Sequence, residues 1–204
     1  MTVLIGGAMS LTSVILKPAQ DKQVELDTKK KILGAVMDIS TFDKPEEILN
    51  LYKVRVKSVV VDIEGEIIAT DDKGNPLIAE KVNAQKNHKI DREERLYPIY
   101  MILNELDPNV VEAYVFPMFG LGLWDWISGY VALESDLNTV KGVAFDHKGE
   151  TPGLGARITE EKVRNRYKEN KKIFSDAGNL ESITMVKGEG ITGLSMHEVD
   201  GLSG

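Results

Sequence analysis

Two runs rich in β-branched and aromatic residues, GYVAL at 129–133 and TVKGVAF at 139–145, flank the short polar stretch ESDLN at 134–138. Strand-forming runs on either side of so short a polar connection fold back on each other, so the spacing predicts an antiparallel hairpin. Further strand-length segments surround it. VRVKSVVVDIEGEIIA at 54–69 predicts one or two strands closed by the turn cluster DDKGNP at 71–76. The apolar runs at 97–103 and 110–118 each contain a proline, Pro98 and Pro117, which belongs at a strand end or an edge. Residues 182–186 (SITMV) read as a last strand before a glycine-rich end.

Helical signals lie mostly at the front. In QDKQVELDTKKKILGAVM, at 20–37, Val24, Leu26, Ile32, Leu33, Val36 and Met37 alternate with charges at roughly helical spacing. Asp43 and Pro45 ahead of Ile48, Leu49 and Leu51 mark the start of a short helix. Residues 159–174 (TEEKVRNRYKENKKIF) open on acids and end on a lysine pair, as suits a helix dipole. The expected fold is therefore α+β, an antiparallel sheet with flanking helices behind an N-terminal helical stalk.

The first sixteen residues, MTVLIGGAMSLTSVIL, carry no charge, and Lys17-Pro18 opens a strongly polar segment. So short an apolar run falls below the roughly 20 residues that span a bilayer. It reads as a truncated transmembrane helix, a signal-type apolar region or a short buried helix. The expected organisation is a truncated anchor at 1–16, a helical stalk at 17–40 and one domain at 41–204.

With 25 basic and 32 acidic residues the formal charge is −7, which disfavours attraction to nucleic-acid phosphate. The absence of cysteine excludes a disulfide framework, a thiol nucleophile and thiolate-bound metal centres. The isolated His88, His147 and His197 match no metal-ligand spacing. No nucleophile-elbow, P-loop or dinucleotide signature occurs.

Chemistry, if present, lies in the glycine clusters. Glycines gather at 120–122, 149–155, 188–190 and 201–204, where they serve either as turns or as points of close backbone approach to a ligand. In GETPGLG, at 149–155, Thr151 precedes proline and is pushed extended, while Pro152-Gly153 suits the centre of a type II turn. That turn would set Glu150 and Thr151 beside the Leu154-Gly155 backbone on one rim, a pocket edge with no catalytic set. Taken singly, Glu150 reads as a solvated carboxylate, Lys187 as a solvated cation, His197 as structural or solvent-facing, and Trp124 and Trp126 as packing anchors.

The segments GLGLWDWISGYVAL (120–133), TVKGVAF (139–145), GETPGLGARI (149–158) and VDGLSG (199–204), in this order, resemble the covalent-flavin family. That family contains the NqrC component of the Na+-translocating NADH:quinone reductase and its counterpart in the related Rnf complex. Its final motif continues with Ala-Thr, and the threonine is joined to FMN through a phosphoester. Asp200, Gly201, Leu202, Ser203 and Gly204 match the first five positions of that motif. The sequence is expected to be truncated before the acceptor threonine and at the start of the anchor.

The resemblance implies a cofactor, FMN, and a set of residues around it. Glu150 and Thr151 would line the flavin, Leu154 and Gly155 would pack on it, and Trp124 would wall the pocket. Lys187 would place a cation near the reduced ring or the phosphate. Gly201, Leu202 and Ser203 would shape the phosphate loop, and Asp200 would belong to the segment a flavin transferase recognises. The implied function is an electron-transfer subunit of a membrane-bound Na+-translocating reductase, with no complete activity alone. Its partners would be the other subunits and the transferase, with the soluble domain on the periplasmic side of a bacterial inner membrane. The alternatives are a ferredoxin:NAD subunit of the Rnf type and a non-redox extracytoplasmic binding module.

Overall fold

The predicted hairpin is present as β4 (Trp126–Glu134) and β5 (Val140–His147), paired antiparallel from Ile127 opposite His147 to Leu133 opposite Val140. The computed structural model describes residues 2–168 and 170–202. Three more strands extend the hairpin: β1 (Val56–Val61), β2 (Tyr97–Leu103) and β3 (Val111–Leu121). The five form an antiparallel sheet in chain order, β1-β2-β3-β4-β5.

Both prolines sit where the β2–β3 ladder has ended. That ladder starts at Tyr100 opposite Val115, so Pro98 and Pro117 lie beyond it and neither is asked for a cross-strand N–H there. Pro117 is thus inside β3 while edge-like on its β2 side, the second of the two positions the sequence allows it.

The two faces of the sheet bury different partners. Along β2, Pro98, Tyr100 and Ile102 are buried at the strand period of two. Tyr100, Ile102, Ala113, Val115, Ala132 and Ala144 pack with Ile32, Leu33, Ile48 and Tyr52 from the helices. The other face carries Leu133, Val140 and Val143, covered by Tyr167, Ile173 and Ile183 of the C-terminal segment.

Helix α1 runs without a break from Thr2–Gly34, through Lys17 and Pro18. Its apolar side chains from Ile5 to Leu16, where described, are exposed, whereas Leu26, Ile32 and Leu33 are buried on the sheet. Lys31 fixes the crossing by pairing with Asp27 one turn back and Asp146 on β5, each at 2.6 Å. Among the described residues, no helix is long and apolar enough to cross a membrane. Helix α2 (Pro45–Arg55) starts on its proline, with Lys44 at the cap position and no side-chain cap, where Asp43 would have been expected to serve. The fixed φ of proline and the acids Glu46 and Glu47 in the first turn supply the start. At its other end buried Arg55 donates to the Leu103 carbonyl and, at 2.9 Å, to Glu112.

Of the one or two strands expected over 54–69, one forms, β1; 54–55 close α2, and the second half contributes a single bridge from Ile67 to Val61. Turns and the short helix α3 (Ala84–Asn87) follow before β2. The helix expected over 159–174 is reduced to α4 (Glu161–Asn165) and a 3-10 turn (Arg166–Lys168). The chain then reverses through Asn170, at φ 55°, and the Lys171 carbonyl accepts the Val140 N–H. Pairing along the start of β5 outcompetes further helix. The last predicted strand is the two-residue β6 (Thr184–Met185), which pairs parallel with β7 (Glu198–Val199).

Candidate flavin-binding site

Sheet topology brings two glycine loops to one end. The connection between β3 and β4 and the segment leaving β5 meet there, because Ile127 pairs with His147 and the Lys148 N–H reaches the Trp126 carbonyl at 3.1 Å. The first loop is a tight turn, with the Gly122 N–H donating to the Asp125 carbonyl at 2.8 Å. Trp126 at its exit stacks on Phe119, with centroids 4.8 Å apart, and anchors the hairpin.

Glu150 locks the loops together. It is 7% exposed, and its Oε1 accepts the main-chain N–H of Trp124 at 3.1 Å. The carboxylate lies between two glycines: a Cβ at Gly122 would collide with Oε1, and one at Gly155 would stand 2.6 Å from Oε2. Here glycine is required by close approach. The reading of Glu150 as a solvated carboxylate is therefore corrected, and burial with a main-chain partner is the reason.

The next residues form the expected turn. The Thr151 carbonyl accepts the N–H of Leu154 at 3.1 Å and of Ala156 at 3.2 Å, and Gly153 takes φ +76°, as a type II turn demands. With its backbone so held, the Thr151 side chain is exposed. Leu121, Leu123, Trp124 and Leu154 are all exposed, Trp124 at 70%. The braced loops thus present several large apolar side chains to solvent.

A second group forms where the chain ends. Lys187 is exposed and opens a loop in which Gly188 and Gly190 have positive φ. The Asp200 carboxylate accepts the N–H groups of Gly190 at 2.7 Å and Ile191 at 3.1 Å. These bonds, with Arg166 nearby, hold its pKa below the usual carboxylate range. Gly201 is packed so closely on the Val186 carbonyl that a side chain has no room. Leu202 is half-buried, and Ser203 lies outside the described residues.

The contacts joining the two groups run through residues not singled out from sequence. Arg166 Nη1 donates to the carbonyls of Asp200 at 2.8 Å and Gly201 at 2.7 Å, while Nη2 donates to Glu189 at 2.8 Å. Arg157, two positions beyond Gly155, forks onto the same Glu189 at 2.8 and 3.2 Å. Arg157 stands inside the GETPGLGARI segment and Glu189 between two glycines, but each alone reads as a solvated charge. His197, outside this site, has Nδ1 2.8 Å from the Lys172 carbonyl, as a structural residue should. Among the described residues no group of three or more His, Cys, Asp or Glu is gathered to hold a metal ion.

An apolar rim suits a flat ring, and a glycine-rich loop with an exposed lysine suits an anionic group. Comparison with known proteins agrees with that chemistry. The FMN-binding domain family matches residues 122–204, the stretch containing both groups. The C subunit of the Na(+)-translocating NADH-quinone reductase of Neisseria meningitidis is 32% identical, with 100% of this chain aligned to 78% of that protein. Its counterpart from Yersinia pestis is 30% identical over 100% of this chain and 77% of its own length. The crystal structure of the Parabacteroides distasonis counterpart superposes with a TM-score of 0.72 at 30% identity, covering 92% of this chain and 84% of that one. Shewanella oneidensis NqrC gives a TM-score of 0.69 at 25% identity, over 88% and 83%. Shared sequence and fold together place this chain in the NqrC family of the Na+-translocating NADH-quinone reductase.

Proposed function

We propose that this chain is the electron-carrying subunit of a membrane-bound NADH:quinone reductase that translocates Na+, and that it holds one FMN esterified to a threonine directly after Gly204. The observation that carries the reading is the pair of braced loops: a glycine turn pinned by Glu150, which exposes Trp124 and Leu154, tied through Arg157, Glu189 and Arg166 to Asp200 and Gly201. FMN supplies one-electron redox chemistry when bound.

The chain's own residues do the holding. Trp124 and Leu154 would cover the ring and exclude water, Thr151 would offer a hydroxyl at its edge, and Gly155 allows the Glu150 brace to close behind them. Lys187 would lie near negative charge on the ring or the phosphate. Asp200 and Gly201 fix the path of the chain toward the attachment point. The part these residues play is binding and tuning, and complete activity belongs to the assembled reductase.

The other reductase subunits and a flavin transferase are the proposed partners. The proposed placement is an inner membrane reached by the N-terminal helix, with the domain on the periplasmic side. The relatives at 30% and 32% identity carry the quinone-reductase name, which favours that complex over one of the Rnf type. The test is chemical. The chain extended through Ala-Thr and co-expressed with a flavin transferase is expected to keep its yellow colour after denaturation, and changing that threonine to alanine is expected to abolish it. A colourless extended protein would instead support a non-redox binding module.

A further inference from the structure

We propose that Arg166 is a positioning residue of the flavin site. Acting with Glu189 and Arg157, it sets where the attached cofactor lies relative to the Glu150–Leu154 loop. The proposal rests on the reading above and concerns what happens after attachment.

The backbone approaching the attachment point has little of its own to hold it. Strand β7 ends at Val199, and the sheet it joins has only two short strands. Beyond it, among the described residues, the chain is held by the Asp200 carboxylate on the Gly190 and Ile191 N–H groups, by the glycine contact of Gly201, and by Arg166. Of these contacts, that of Arg166 reaches outside the local loop. Its side chain is 10% exposed, and it follows directly on α4, whose Val163 is fully buried. One guanidinium nitrogen spans two successive carbonyls while the other engages Glu189. A planar fork of fixed geometry can do this; a lysine ammonium, as a point donor on a flexible stem, cannot reproduce it.

Glu189 then carries the connection across. Its Oε1 accepts from both Arg166 and Arg157, each at 2.8 Å, and Arg157 belongs to the 3-10 turn Gly155–Thr159 that follows the pocket rim. Within the cluster two guanidinium groups face Glu189 and Asp200, and Arg157 is held further by Glu160 at 3.6 Å, so each arginine has a carboxylate partner. A covalent tether raises the local concentration of the ring but does not orient it. Orientation needs a rigid link between the tethered end and the rim, and this cluster is that link.

The test uses the full chain through its attachment threonine, with flavin added by the transferase. Covalent flavin content, flavin fluorescence anisotropy decay and midpoint potential are compared for the parent, Arg166→Gln, Arg166→Lys and Glu189→Gln. All are expected to carry flavin at the parent's stoichiometry. Arg166→Gln and Glu189→Gln are expected to lose the slow component of the anisotropy decay and to shift in potential toward free FMN, with Arg166→Lys restoring only part. If Arg166→Gln does not fold, the near-isosteric Glu189→Gln gives the same readouts. Attached flavin in these variants with the parent's anisotropy and potential would overturn the positioning role and leave the function intact. A parent without covalent flavin would overturn the function and this inference with it.

Discussion

The carboxylate of Glu150 accepts the main-chain N–H of Trp124 across 26 residues of chain, and two glycines stand where side chains would displace it. Replacing Glu150 with alanine leaves that N–H without its partner. The expected cost is about 1–3 kcal/mol of stability. Chemical denaturation should show it, and amide exchange at Trp124 should quicken. Gly122→Ala should act in the same direction, by forcing the carboxylate out of place.

The rim residues predict the opposite pattern. Trp124 and Leu154 are exposed, so alanine at either should change stability by no more than about 0.5 kcal/mol. In the flavin-loaded chain the same substitutions, and Thr151→Ala, should shift the flavin's fluorescence or midpoint potential with the fold unchanged by circular dichroism. Redox titrations identical to the parent for all three would move the ring elsewhere.

Gly201 tests the end of the chain. A Cβ there meets the Val186 carbonyl oxygen and comes within 2.9 Å of the Gly188 carbonyl oxygen, and neither can swing away as a side chain would. Gly201→Ala should cost about 1–3 kcal/mol by overpacking. The loss should be local, with faster amide exchange at Gly190 and Ile191 and an undisturbed five-stranded sheet.

Asp200 gives a pH dependence of definite sign. Its pKa is lowered in the folded state by the Gly190 and Ile191 N–H groups and then by Arg166. The loop's contribution is therefore complete above the unfolded carboxyl value, about 3.9, and is lost as pH falls through the lower folded value. Amide shifts of Gly190 and Ile191 should titrate together with a midpoint below about 3.9. They should not move between neutrality and about pH 5. Asp200→Asn should abolish that transition.

Strand-forming runs around ESDLN specify β4 and β5 directly, because local composition and a short connection suffice to pair them. The type II turn at Pro152-Gly153 is legible for the same reason: its dihedrals are set by two adjacent residues. The shortened helix at 161–165 is not legible, since its end is decided by a tertiary pairing between Lys171 and Val140. Arg157, Arg166 and Glu189 share that difficulty. Their meaning comes from contacts 23 to 35 residues apart in the chain, and a lone arginine or glutamate gives no sign of its partner. Resemblance to a family identified the cofactor class; only the fold reveals what braces its site.

The central claim is that both loops contribute to one flavin slot, and titrating FMN at millimolar concentration into the 15N-labelled chain tests it most directly. Without the tether, binding should be weak and in fast exchange. Amide perturbations should appear together at 122–124, at 151–155 and at 187–202, saturating along one common curve. Perturbation confined to one of these segments, or none at saturating FMN, would contradict the account.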